Sequence, residues 1–163
     1  LAEYFGAEIK NLDIFIQKGT FPIITNVKGS QTFVYLMGIY GKLIGVADLS
    51  QPLDLPFNRI NGYDLGNVAT TFYPYLYDFG YKGVIICIFI MSFVSQIVYE
   101  KVRRIKNKIT VPISVLIYGY VSSSLILSFF SNKFYENFFS PTFVYTLLCW
   151  LFLNFFIGKL SVK

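Results

Sequence analysis

Hydrophobic positions fall into long unbroken runs in the second half of this chain and into short, interrupted ones in the first. Three runs reach membrane-spanning length, at about residues 79–99, 109–130 and 138–157. Each is close to the ~20 apolar residues that a helix needs to cross the hydrocarbon core of a bilayer. The polar stretch KVRRIKNK separates the first from the second, the short polar turn SNKFYEN separates the second from the third, and GKLSVK follows the third. The pattern predicts an all-α fold, an integral membrane helical bundle of about three transmembrane helices.

Residues 1–78 carry a different pattern. In EIKNLDIFIQK, Glu8 to Lys18, the residues Ile9, Leu12, Phe15 and Ile16 recur at helical spacing, which predicts a short amphipathic helix along the membrane surface. TFVYLMGIYGKLIGVA, Thr32 to Ala47, is apolar but only about sixteen residues long, and it holds Lys42 and glycines at 38, 41 and 45. That length suits an interfacial or re-entrant segment as well as a span. The non-spanning choice is preferred and makes 1–78 one large extracytoplasmic loop; a spanning choice would put residues 1–31 in the cytoplasm.

Charge sets the orientation. The net charge is +5, yet residues 1–80 hold five basic and seven acidic side chains while 81–163 hold nine and two. Five of those nine, Lys101, Arg103, Arg104, Lys106 and Lys108, lie in KVRRIKNK. By the positive-inside rule this loop and the final Lys159 and Lys163 are cytoplasmic, so SNKFYEN and the residues before Phe79 face outward. A nucleic-acid site is the weaker reading, because a basic patch needs a soluble face to present it.

Composition narrows the chemistry. The chain is 55% hydrophobic and 20% aromatic, with 14% charged residues and a mean hydropathy of +0.55, outside the range of soluble globular domains. There is no His, so proton transfer would fall to Asp, Glu, Tyr or Lys. Cys87 and Cys149 lie inside apolar runs and read as packing residues, with no metal site and no cofactor implied. The chain opens at Leu1 with no charged leader before an apolar core, which fits the carboxy-terminal portion of a longer protein.

Candidate chemistry concentrates between Gln51 and Asp78, where QPLDLPFNRINGYDLGNVATTFYPYLYD mixes acids, amides, adjacent threonines and closely spaced aromatics. Sugar sites use such groups, because aromatic faces cover the ring while amides, hydroxyls and carboxylates take its hydroxyls. An interface loop with belt tyrosines has the same composition. Arg59 suits two-pronged grip of a pyrophosphate, or else snorkels near lipid headgroups. Asp78, just before the first long run, reads as the N-cap of that helix or as a base toward a sugar hydroxyl. Pro74 predicts that Thr71 to Tyr73 are extended or turning, which would aim Tyr73, Tyr75 and Tyr77 along one side. Ser92, Ser95, Gln96 and Ser122 to Ser124 inside the long runs read as helix-to-helix contacts in preference to a transport path.

GNVATTFYPYLYDFGYKG, Gly66 to Gly83, resembles a motif of the bacterial oligosaccharide repeat-unit polymerases, the Wzy-type enzymes of O-antigen and capsule synthesis. The matching features are Asn67 and Val68, Thr70 or Thr71, the aromatic-Pro-aromatic step Tyr73 to Tyr75, Asp78 to Gly80, and Gly83. YFGAEIKNLDIFI, Tyr4 to Ile16, is similar to a second segment of the same family. The resemblance implies an inverting, metal-independent membrane glycosyltransferase of the bacterial cytoplasmic membrane. Such an enzyme moves a growing glycan from its undecaprenyl pyrophosphate carrier onto another lipid-linked repeat unit. Arginines of extracytoplasmic loops are implicated in such enzymes; from the chemistry of the residues, the catalytic candidates are Arg59 and Asp78, and the candidate sugar contacts are Asn67, Thr70, Thr71, Tyr73, Tyr75 and Tyr77. Implied partners are the undecaprenyl-pyrophosphate-linked oligosaccharide, membrane lipid, and chain-length regulator and flippase proteins. An O-antigen ligase and a non-catalytic exporter or flippase component are the alternative readings.

Overall fold

The computed structural model describes residues 2–19, 27–46, 49, 57–65, 69–106 and 112–160, and among them regular structure is helical apart from one small hairpin. The first helix, α1 (Ala2–Lys18), begins before the expected Glu8 and buries Glu8, Asn11, Leu12 and Phe15. That i, i+3, i+4, i+7 stripe is one helical face. Of the four expected apolar positions only Leu12 and Phe15 are buried, whereas Ile9 and Ile16 are exposed. The inward face of α1 is therefore half polar.

The apolar segment after Thr32 forms α2 (Val34–Ile44), ended by Gly45 in the left-handed conformation, φ 68°. Its 11 residues reach roughly 16 Å, about half the hydrocarbon thickness of a bilayer. Strands β1 (Arg59–Ile60) and β2 (Tyr63–Asp64) pair antiparallel, with Arg59 opposite Asp64. Asn61 and Gly62 turn the hairpin with φ of 50° and 83°. An Asn-Gly pair at positive φ is the favoured two-residue hairpin turn, because its twist matches that of the strands.

The helix α3 (Phe72–Arg103) has 32 residues, and Gly80, at φ 66° and ψ −167°, breaks it into two helical pieces. It packs against α4 (Ile113–Ile126), which continues as a 3-10 turn over Leu127–Phe129. SNKFYEN is no simple turn: Lys133 opens the short helix α5 (Lys133–Phe139), which buries Phe134 and Tyr135. These two rings meet Tyr75, Cys87 and Val121 in the main core cluster. After a bend of 58° the chain continues as α6 (Pro141–Leu160).

Among the described residues, one helix, α3, is long and apolar enough to cross a membrane, and the bent pair α5 and α6 makes a second candidate if it is one span. The expected span at 109–130 is realised as α4, which is too short to qualify. Only 17% of the apolar window of α3 is buried. Ile85, Ile86, Phe89 and Phe93 on α3 and Leu148, Leu151, Phe152 and Phe155 on α6 are all exposed, more apolar surface than monomeric soluble proteins leave uncovered. The serines are satisfied largely within their own helices: Ser95 donates to Met91 O, and Ser128 to Ser124 O. Across helices, Ser124 accepts from Asn137 Nδ2 at 2.9 Å, and Ser128 Oγ meets Met91 Sδ at 4.0 Å.

Candidate functional site

The start of α3 is built by two threonines. Thr70 Oγ1 accepts the N–H of Phe72, and Thr71 N–H donates to Ser128 O at 3.0 Å, tying this end of α3 to the end of α4. The segment Thr71 to Tyr73, expected to be extended or turning, has Thr71 in a turn and Phe72 and Tyr73 already in the helix. Pro74 stands in the first turn, where backbone N–H groups have no intrahelical acceptor and a missing one costs nothing.

That helical start decides where the three tyrosines go. At 3.6 residues per turn Tyr73 and Tyr77 share a side and Tyr75 points away from them, so the expected common row of three is not formed. Tyr73 and Tyr77 stack at 6.5 Å with 13° between planes, and Tyr73 meets Phe15 of α1 edge-on. Tyr75 packs edge-on against Tyr135 at 5.5 Å. Tyr73 and Tyr75 are fully buried, and burial pushes both phenols up, so neither serves as a base at neutral pH.

Tyr75 instead belongs to a buried chain of hydrogen bonds. Thr71 Oγ1 donates to Tyr75 OH at 2.9 Å, Tyr75 OH donates to Asn132 Oδ1 at 3.0 Å, and Asn132 Nδ2 donates to Thr32 O at 2.8 Å. Thr32 N–H then donates to Asp78 Oδ2 at 2.6 Å, with Gln31 N–H on the same oxygen at 3.2 Å. Thr32 Oγ1 donates to Pro74 O, closing the ring back on α3. Thr71, Tyr75 and Asp78 of the motif are thus joined through Thr32 and Asn132.

Asp78 does not cap the helix it was expected to start. It lies inside α3, and its carboxylate caps the turn before α2, whose first N–H groups have no acceptor of their own. Burial raises its pKa from the ordinary carboxylate value, opposed by the donors of Thr32, Gln31 and Gly29. Two residues on, the Gly80 backbone lies in a region of φ and ψ that is essentially closed to other residues. Because of that break Phe79 presses on Gly83, where an added Cβ would lie 2.0 Å from Phe79 Cβ. The Asp-Phe-Gly step and the following Gly therefore have one local cause: a capped turn on one side and a sharp break in the helix on the other.

Arg59 stands apart from this network. Its guanidinium pairs with Asp64 across the hairpin and is 76% exposed. The hairpin is moored to α1, where Asn11 Oδ1 accepts both the N–H and the Nδ2–H of Asn58, at 3.1 and 2.9 Å. Asn67 lies outside the described residues. Among the described residues no three His, Cys, Asp or Glu side chains come together as metal ligands would.

Two features were missed in the sequence. Asn132, buried at 3% exposure, is the hub of the network, yet SNKFYEN reads as a short polar turn until its aromatic pair Phe134 and Tyr135 is given weight. Glu8 is 1% exposed, and among the described residues neither carboxylate oxygen has a hydrogen-bond partner. Its signal was its register, since Glu8 and Asn11 occupy the same face as Leu12 and Phe15. No family model, no curated protein and no solved structure matches this chain.

Proposed function

We propose that this chain works in the bacterial cytoplasmic membrane as part of a glycosyltransferase that polymerises lipid-linked oligosaccharide repeat units at the outer face. The observation that carries this reading is the joining of Thr71, Tyr75 and Asp78 into one buried network immediately before the Gly80 break, where an exposed apolar helix begins.

The membrane part rests on α3. Tyr81 and Tyr99, both exposed, bracket its apolar segment 18 residues apart, about 27 Å at 1.5 Å per residue, against ~30 Å of hydrocarbon. Tyrosines at that separation match the aromatic belts at the two interfaces. Lys101, Arg103 and Arg104 are exposed beyond Tyr99, which supports a cytoplasmic position for that end and an outer position for the network. α4 and the bent α5 and α6 complete the helical bundle in this reading.

The network is the scaffold and Arg59 the ligand-facing group. An exposed guanidinium on a moored hairpin can exchange Asp64 for a pyrophosphate, with two-pronged geometry and at little cost in stability. Tyr77, half-buried and stacked on Tyr73, is the motif tyrosine left to meet a sugar.

The test is a glycan ladder from cells lacking the gene, with lipid-linked single repeat units assayed at both membrane faces. Loss of long polymer with single units still reaching the outer face supports the polymerase. Polymer retained on its lipid carrier would make the protein a ligase, and units held at the inner face would make it a flippase component.

A further inference from the structure

We infer that Glu8 is the group that takes the proton from the attacking sugar hydroxyl, in a subsite formed by α1 beside the hairpin that carries Arg59. The inference rests on the transferase reading above and adds to it the acceptor half of the reaction.

Glu8 carries the inference because it is a carboxylate at 1% exposure with both oxygens unpartnered among the described residues. An ionised carboxylate has only acceptor sites, and burying one with none of them filled is strongly unfavourable. Buried carboxylates with a purely structural task are hydrogen-bonded, as Asp78 is in this same fold. Glu8 is held in the opposite condition, desolvated and with its acceptor capacity unspent. A group that donates a hydrogen bond completes it, and the hydroxyl of a sugar is such a donor.

Its neighbour on the helix supplies the complement. Asn11, one turn along and also 1% exposed, gives its Oδ1 to Asn58 and carries a hydrogen-bond donor in its Nδ2. Side chains three apart on a helix stand about 5–6 Å from each other at Cβ. Glu8 and Asn11 therefore offer an acceptor and a donor side by side, the pattern that adjacent hydroxyls of a sugar satisfy. Asn58 then places Arg59 next in sequence to the group bound to Asn11, so the acceptor subsite and the pyrophosphate-binding arginine share one mooring. That mooring is two hydrogen bonds on a single amide oxygen, a hold that an incoming hydroxyl can replace.

The step balances without a further reagent. The acceptor hydroxyl gives its proton to a Glu8 carboxylate oxygen as its own oxygen bonds to the anomeric carbon of the donor glycan. The bond from that carbon to the pyrophosphate oxygen breaks, and the lipid pyrophosphate leaves with the electron pair toward Arg59. Glu8 afterwards returns its proton to water.

The experiment complements cells lacking the gene with the full-length protein as wild type, Glu8→Gln and Glu8→Asp. It reads protein level in the membrane, the glycan ladder, and lipid-linked single repeat units at the outer face. Gln keeps the shape without the carboxylate, so the expected result is protein at wild-type level or above. Polymer is expected to fall about 100-fold or more, with single units accumulating, because general-base catalysis contributes about 10²–10⁴-fold. Partial recovery with Asp is expected, since a carboxylate is restored one methylene short. A wild-type ladder from Glu8→Gln at normal level would overturn the role of Glu8 and leave the transferase reading standing. Loss of Glu8→Gln protein with polymer per molecule unchanged would overturn it also, making the carboxylate structural. If the deletion itself leaves the ladder intact, the transferase reading fails, and this inference fails with it.

Discussion

Asp78 Oδ2 accepts the backbone N–H of Thr32 at 2.6 Å across 46 residues of chain, so the carboxylate that closes the first piece of α3 is the cap of the turn leading into α2. Both groups are buried, and Thr32 passes the connection on to Asn132 through its carbonyl. One acidic side chain thereby couples three parts of the fold that have no sequence proximity.

Replacing Asp78 by Ala strands the N–H groups of Gln31 and Thr32 in a buried site. Each unsatisfied buried donor costs about 1–3 kcal/mol, so a loss of about 2–5 kcal/mol is expected in thermal unfolding of the full-length protein in detergent. Asp78→Asn keeps one acceptor oxygen and should lose less. Equal stability of Asp78→Ala and wild type would remove the capping role.

The same residue sets a pH dependence. Burial raises the folded-state pKa of Asp78 above its ordinary 3.8. A raised folded value means that its contribution is fully present below the unfolded value and is lost as pH rises through the folded one. The melting temperature of wild type should therefore fall, relative to that of Asp78→Asn, as pH is raised from below 3.8 through the raised value. Parallel profiles for the two proteins would contradict the assignment.

Asn132 gives one acceptor to Tyr75 OH and one donor to Thr32 O. Asn132→Ala is expected to cost about 2–4 kcal/mol by leaving both groups buried without partners. Asn132→Asp should be no better, because its oxygens accept from Tyr75 but face the Thr32 carbonyl with no proton to give. A double-mutant cycle with Tyr75→Phe should show coupling, and additive losses would place the two residues outside one network.

The helix break makes two different demands on glycine. Gly80→Ala meets open space, so its cost is backbone conformation alone, on the order of 1–3 kcal/mol. Gly83→Ala drives a Cβ to 2.0 Å from Phe79 Cβ, which no rotamer change relieves. The second variant should be the less stable, and a reversed order in urea unfolding would show that α3 runs straight through this region.

Arg59→Ala should leave the melting temperature unchanged, because the guanidinium is exposed and its pair with Asp64 is solvated. Polymer length should collapse in cells carrying it. Arg59→Lys should restore little, since an ammonium cannot grip a pyrophosphate at two points. A normal ladder from Arg59→Ala at normal protein level would take this residue out of the site.

Local pattern sufficed for part of this. The helical spacing of Leu12 and Phe15 located α1, the turn pair Asn61-Gly62 was available as a hairpin signal though it went unread, and the apolar run after Gly80 needed only its length and composition to be recognised. Those features depend on neighbours within one or two turns of chain. The charge asymmetry between the two halves of the chain is likewise a property of sequence position alone.

The inside of the site is different in kind. Whether Asp78 caps its own helix or another turn depends on which N–H groups lie unsatisfied within reach, and Gln31 and Thr32 arrive from 47 and 46 residues away. Tyr73 and Tyr75 look like sugar platforms while their partners are unknown, and become core once Phe15 and Tyr135 cover them. Asn132 gains its meaning only 100 residues from the carbonyl it serves. The sequence by itself determined the amphipathic α1, the apolar runs and the location of charge, because these follow from backbone period and side-chain hydropathy. Tertiary structure alone decided which polar groups are spent on holding the fold and which, like Glu8, remain unspent, because a hydrogen bond needs two groups and the chain brings them together only on folding.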